Sequence, residues 1–247
     1  MQHTKHRFGL VGKNISYSFS KGYFTDKFLD LGLEGYSYEN FDLQRIDEFP
    51  ELLKSHPDVK GLNVTIPYKQ EVLPYLDALD AQAEEIGAVN TIKFDGKRLI
   101  GHNTDAYGFQ KSIESFLKPH HTKALIFGTG GASKAIAFVL GQLGIGVTYV
   151  SRNPDTTQIG YGDLNQSVLE NQLILVNCTP LGTHPNVEQK PDIPYDYITE
   201  KHLLFDLIYN PEQTAFLKEG EKRGADIVNG LQMLRFQADR AWEIWRG

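Results

Sequence analysis

The stretch Leu125-Ile126-Phe127-Gly128-Thr129-Gly130-Gly131-Ala132 constrains the fold of this chain more than any other. A short apolar run ends in a cluster of glycines, and a helical pattern follows from Ala132 to Leu143. Strand patterns at Ala124 to Phe127 and Val147 to Val150 flank it, so the three pieces predict a compact βαβ unit. In such a turn the first glycine permits the tight bend and the second lets a pyrophosphate approach the backbone. The helix N-terminus then offers unpaired N–H groups and a partial positive charge. Ser133 stands where a third glycine is usual. Many βα turns carry glycines for steric reasons alone; here strand, turn and helix all suit a dinucleotide.

The alternation extends to both sides. Arg7 to Gly12 reads as a strand, Tyr23 to Leu29 as a helix stopping near Gly32, and Tyr36 to Phe41 as a strand. Ile46, Phe49, Leu52 and Leu53 suggest a helix broken before Pro57, and Gly61 to Val64 a third strand. Asp95-Gly96 between Val89–Phe94 and Arg98–Ile100 is a hairpin signal. After the βαβ unit, Leu173 to Val176 and Leu203 to Phe205 read as buried strands, and Pro180 to Tyr195 as a long loop. Gly230 to Trp245 is the last helix, with Leu231, Leu234, Ala238, Ala241 and Trp242 on one face. The predicted class is α/β in two domains, the N-terminal one built on an open, mainly parallel sheet.

A formal charge of −6 argues against a nucleic-acid surface. No window approaches the ~20 apolar residues of a membrane span, and the basic N-terminus has no apolar run behind it, so neither a span nor a secretory signal is expected. Cys178 is the only cysteine. An intrachain disulfide and a cysteine-rich metal site are therefore impossible, and a reducing cytoplasm is the expected compartment. The scattered histidines suggest no metal site.

The end of the second strand of the βαβ unit speaks to the cofactor. A site for NAD usually carries Asp or Glu there, whereas this chain has Val150-Ser151-Arg152-Asn153. A guanidinium suits a 2′-phosphate, which favours NADP; the alternative is a solvated loop arginine. Lys134 is open to the same two readings. Hydride transfer to or from a secondary alcohol also needs a proton-transfer group. Lys69 follows a polar strand end with Asn63 and Thr65, at the sheet edge where α/β folds bind ligands. Asp105, 36 residues on, closes Asn103-Thr104-Asp105 and opens a helix. Each is either a surface charge or helix cap, or half of a pair in which the carboxylate orients the ammonium.

Eight ordered stretches now resemble one family, that of the shikimate dehydrogenases. They are Ser16-Tyr17-Ser18, Asn63 to Lys69, Gly87 to Thr91, Gly101 to Asp105, Gly128 to Ala132, Asn177 to Gly182, Asp206 to Pro211 and Gly230 to Leu234. The resemblance runs from Gly9 to about Trp242. It implies reversible NADPH-dependent reduction of 3-dehydroshikimate to shikimate, on the way to aromatic amino acids. It implies a substrate-binding catalytic domain of residues 1–104 with 229–247, and a Rossmann-like NADP-binding domain of residues 105–228. Lys69 and Asp105 match the catalytic pair. Ser16 and Ser18 match serines that hold the substrate carboxylate, Asn63, Thr65, Asn90 and Gln237 match groups on the ring hydroxyls, and Tyr209 matches a pocket residue. Gly128, Gly130, Gly131, Ala132, Ser151, Arg152, Thr179 and Gly230 match the cofactor side. No metal, nucleic acid or membrane is implied, and the protein is expected to be a monomer or homodimer.

Some positions depart from the family pattern. Ser151-Arg152-Asn153 replaces a frequent Asn-Arg-Thr, Thr183 replaces a common methionine, and Asn153 to Glu170 is trimmed, with less helix than expected. Three rivals stand beside this reading: a quinate/shikimate dehydrogenase using NAD, a non-catalytic binder of the pathway's metabolites, and a folate-linked dehydrogenase of similar architecture. Arg152 argues against the first, the retained Lys69 and Asp105 against the second, and the paired serines against the third.

Overall fold

The computed structural model describes residues 6–16 and 18–247. Tyr17 of the Ser16-Tyr17-Ser18 stretch and residues 1–5 lie outside the described residues. Contacts divide the chain into two compact units, Met1–Thr104 with Ala238–Gly247, and Asp105–Gln237. The sequence reading places the return to the first domain at residue 229; the contact division places it at Ala238.

The first unit runs β1 (His6–Gly12), α1 (Phe19–Asp30), β2 (Tyr36–Asp42), α2 (Phe49–Ser55), β3 (Val59–Val64), β4 (Ala78–Leu79), α3 (Ala81–Ile86), β5 (Thr91–Asp95) and β6 (Arg98–His102). Its sheet has the order β2-β1-β3-β5-β6-β4. The β1–β2, β1–β3 and β4–β6 pairings are parallel, and β5 is antiparallel to both its neighbours. The expected hairpin is the β5–β6 turn, where Asp95 sits opposite Arg98. Local chemistry sets the helix ends. The Ser18 hydroxyl accepts the Ser20 N–H at 3.2 Å to start α1, and the Asp80 carboxylate accepts the Ala83 N–H at 2.6 Å to start α3.

One face of this sheet buries Val11, Phe41, Phe49, Leu62, Val64, Tyr68, Val72 and Ile92. A second cluster gathers Phe8, Leu10, Phe24, Phe28 and Tyr38 with Ala238 and Trp242 of the last helix. Phe24 is fully buried and stacks on Tyr38 with centroids 4.6 Å apart. Trp245 joins them, its indole N–H donating to the Ile92 carbonyl at 3.0 Å.

The helix α4 (Thr104–Ile113) leads into the second unit. There follow β7 (Lys123–Phe127), α5 (Gly131–Gln142), β8 (Gly146–Ser151), β9 (Gln158–Gly160), α6 (Gln166–Asn171), β10 (Ile174–Asn177), β11 (Leu203–Asp206), α7 (Ala215–Glu221), β12 (Asp226–Val228) and α8 (Leu231–Arg246). The order β12-β11-β10-β7-β8-β9 is parallel throughout. Its central strands are continuous apolar runs, as a sheet covered on both faces requires. The chain winds one way from β7 to β9 and the other way from β10 to β12, so the order reverses between β7 and β10. Short β9 and α6 occupy the trimmed stretch.

Candidate active site

In the first unit two of the predicted substrate residues, Asn63 and Asn90, lie on a connected polar network. Asn63, at the end of β3, is buried. Its Oδ1 accepts the Tyr38 hydroxyl at 2.8 Å, and its Nδ2 donates to the Asn90 carbonyl at 3.2 Å and to Thr91 Oγ1 at 3.1 Å. Asn90 Oδ1 in turn accepts the Thr104 N–H at 2.7 Å, while Asn90 Nδ2 donates to Thr104 Oγ1 at 3.0 Å. Asn103 Nδ2 reaches the Ala88 carbonyl at 2.9 Å. The network therefore ties β3, the start of β5 and the start of α4 together, and Asp105 is the next residue after its last member.

Lys69 is half-buried. Its carbonyl accepts the Val89 N–H at 2.8 Å, which sets it beside the Gly87–Thr91 stretch. The preceding Tyr68 is sunk in the core, donating its hydroxyl to the Leu43 carbonyl at 2.7 Å. Thr65 is anchored through its N–H to the Val11 carbonyl at 2.9 Å. Ser16 is exposed, and Ser18, half-buried, carries the cap of α1. Asp105 is buried on α4, in the second unit. Gln237 is the last residue of that unit, buried on α8, with its Nε2 donating to the Leu234 carbonyl at 2.9 Å.

Two supporting groups escape a sequence reading. Tyr38 lies in β2, and its hydroxyl reaches across β1 to orient the Asn63 amide. Burial pushes its phenol up, against a smaller pull from Ser20, so it remains a neutral donor. His102 Nδ1 lies 2.6 Å from Asp80 Oδ2, linking the end of β6 to the start of α3. Burial raises the Asp80 carboxyl, but hydrogen bonds from His102 and the Ala83 N–H, with the charges of His102 and Arg240, hold it below the usual range. The only sequence signals are a tyrosine in an alternating strand and a histidine in Gly101-His102-Asn103, neither distinctive.

In the second unit the glycine turn sits at the switch point of the sheet, the place where open α/β sheets bind ligands. Gly128 has φ +98°, and a Cβ there would stand 3.3 Å from the Cys178 backbone and from Thr179 Cγ2. The turns after β7 and β10 are thus in contact. Gly130 caps α5 without a side chain, so no side chain takes the first N–H groups of that helix. Ser133 at the third glycine position is wholly buried, and its hydroxyl folds back to the Gly130 carbonyl at 2.7 Å. Ser151 accepts the Asn153 N–H at 3.2 Å after β8; burial pushes the Tyr161 phenol up, and the charge of exposed Arg152 opposes that push. Thr179 is oriented by Asn177, whose Oδ1 accepts both its N–H at 3.0 Å and its hydroxyl at 2.7 Å. Gly230 donates its N–H to the Ile208 carbonyl at 3.0 Å, one residue before half-buried Tyr209.

No group of three or more metal-ligating side chains occurs among the described residues. Among the same residues, no helix is long and apolar enough to cross a membrane.

A parallel sheet with a glycine turn at its switch point is the architecture of the dinucleotide-binding α/β class. Comparison with known proteins narrows the class. Residues 10–92 match the family described as shikimate dehydrogenase substrate binding domain. A shikimate dehydrogenase (NADP(+)) of Desulforamulus reducens is 36% identical, the alignment covering 97% of this chain and 89% of that protein. The solved shikimate dehydrogenase of Aquifex aeolicus is 30% identical with a TM-score of 0.89, over 100% of this chain and 94% of that one. The Thermus thermophilus shikimate 5-dehydrogenase, solved with NADP(H) and shikimate, is 32% identical with a TM-score of 0.85, over 97% and 92%. The chain belongs to the shikimate dehydrogenase family of oxidoreductases.

Proposed function

We propose that the chain catalyses the reversible reduction of 3-dehydroshikimate to shikimate with NADPH. The observation that carries this is the near full-length likeness to shikimate dehydrogenases (NADP(+)). The second unit suits the cofactor. Gly128, Gly130, Gly131 and Ala132 form a turn free of side-chain bulk against pyrophosphate, with Thr179 and Gly230 on the neighbouring turns. Ser151 and Arg152 meet the 2′-phosphate where an acid would repel it.

Held by the glycine turn, Thr179 and Arg152, the cofactor would supply the hydride that the carbonyl carbon takes up. Lys69 gives the carbonyl oxygen its proton and takes it back in the reverse direction, while Asp105 orients the ammonium. Ser16 and Ser18 donate to the substrate carboxylate. Since the Ser18 oxygen already accepts the Ser20 N–H, its own hydrogen remains to donate. Both Asn63 amide hydrogens are taken by Asn90 and Thr91, so Asn63 meets a ring hydroxyl as an acceptor through Oδ1. Thr65, Asn90 and Gln237 serve the remaining hydroxyls, and Tyr209 lines the pocket.

The test is a two-by-two assay of shikimate or quinate against NADP or NAD. Turnover largely confined to shikimate with NADP supports the proposal; turnover of quinate with NAD transfers the chain to the broader dehydrogenase reading. Silence in all four, from folded protein, favours a metabolite-binding protein.

Two variants refine the roles. Arg152→Gln should weaken NADPH binding by roughly 10–150-fold, the equivalent of a charge-assisted hydrogen bond, and leave NADH binding nearly unchanged. Equal losses in a fluorescence titration of both cofactors would remove Arg152 from the phosphate site. Tyr38→Phe deletes one hydroxyl and leaves Asn63 Oδ1 short of a donor. It should raise the KM for shikimate about 5-fold at nearly constant kcat, as for a net hydrogen bond of ~1 kcal/mol. An unchanged KM would show that Asn63 needs no such support.

A further inference from the structure

Asp206 at the end of β11 is wholly buried. Three donors from two turns converge on it. Thr214 Oγ1 donates to Oδ2 at 2.6 Å, while the Ile208 N–H and Asn177 Nδ2 donate to Oδ1 at 3.0 Å and 3.1 Å. Asn177, at the end of β10, is equally buried. A flip of its amide would turn the oxygen toward the Asp206 carboxylate and the NH₂ toward the Thr179 N–H. The negative charge therefore helps to hold the amide the way it faces, and the amide holds Thr179 where it stands. The same Asn177 NH₂ reaches the Leu181 carbonyl at 3.3 Å. On the other side, the Leu207 N–H donates to the Asn177 carbonyl at 3.1 Å. A Cβ on Gly230 would stand 2.0 Å from the Leu207 carbonyl oxygen, so the segment leading to Tyr209 is pressed against Gly230.

We propose that Asp206 is a positioning residue for the reduction: its buried carboxylate ties the Asn177–Leu181 turn to the Leu207–Thr214 turn and so sets Thr179 and Tyr209. This deepens the reading given under the proposed function and rests on it for the roles of Thr179 and Tyr209. The ionised form accepts from all three donors at once. A protonated Asp206 must donate through one oxygen, and the Thr214 hydroxyl hydrogen then loses its acceptor. Burial pushes the carboxyl up to about 6, against the pull of Thr214, Ile208 and Asn177. Of the titratable groups on surrounding elements, Tyr195 feels the Asp206 charge but is itself pushed up, first by burial. Glu219 of α7 is paired with Lys190, Lys222 and Arg223, and Asp226 of β12 with Lys118.

The proposal is tested by titrating NADPH fluorescence from pH 5 to 8 on the full chain, for wild type, Asp206→Asn and Thr214→Val. Affinity in the wild type should fall as pH drops through the titration of Asp206. Asp206→Asn mimics the neutral carboxyl, so its affinity should stay at the acid-side value across the range. Thr214→Val removes a donor that lowers the pKa, so the step should move to higher pH; it also serves if the asparagine variant fails to fold. A step at the same pH in wild type and variants, or none in wild type, overturns the proposal. A wild type that binds NADPH with the expected step but does not reduce 3-dehydroshikimate would fail the substrate reading and leave Asp206 supported.

Discussion

Lys69→Ala is expected to lower turnover by about 10²–10⁴-fold, the usual contribution of a positioned proton-transfer group, while NADPH binding stays nearly intact. Lys69 belongs to the first unit, next to the Asn63–Asn90 network, whereas the glycine turn and Arg152 belong to the second. Loss of the ammonium removes the proposed proton donor and leaves the backbone bond from Val89 to the Lys69 carbonyl in place. The decisive comparison is single-turnover rate against NADPH affinity. A parallel fall in both would make Lys69 a structural or cofactor-contacting residue and would break the proposed mechanism at its central step.

The largest expected effect on stability comes from Phe24→Ala, at about 3–5 kcal/mol for truncating a fully buried aromatic. Phe24 touches the rings of Tyr23, Phe28, Tyr38 and Trp245. The loss should also reach the site, because the ring stacked on Tyr38 holds the hydroxyl that orients Asn63. Urea unfolding should report the destabilisation, and the KM for shikimate should rise in the same variant under conditions where it is folded. A variant with wild-type unfolding would show that the cavity collapses around Phe28 and Trp245.

The parts legible in the sequence are those that a local pattern can carry. The glycine turn is flanked by an apolar strand and a helix within a single stretch, and Asp95-Gly96 marks the β5–β6 turn by two adjacent residues. The place of Arg152, directly after β8, can be read because the position after a βαβ unit is defined by the unit itself. What escaped is either very short or very distant. The edge strands β4, β9 and β12 have two or three residues each, too few for a period of two to register. The polar network depends on contacts across the sheet: Tyr38 and Asn63 lie 25 residues apart. Asp206 and Asn177 sit inside family-like stretches, yet nothing in those stretches says that one orients the other; that follows only once β10 and β11 are paired. The missing third glycine is likewise resolved by geometry, since Ser133 satisfies its own hydroxyl on the Gly130 carbonyl.

The aromatic cluster of the first unit has a consequence for the order in which the protein can be made. Phe8 and Phe28 are covered in part by Trp242, and Gly61 of β3 is overlain by the indole of Trp245, 2.5 Å from where a Cβ would stand. These covering residues come from α8, after the whole second unit. A ribosome extruding the chain therefore releases a first unit whose apolar face is bare, then a second unit that can complete its parallel sheet alone. Only when residues 238–247 emerge can the earlier unit close. Until then the aromatic residues that Trp242 and Trp245 cover lack that cover.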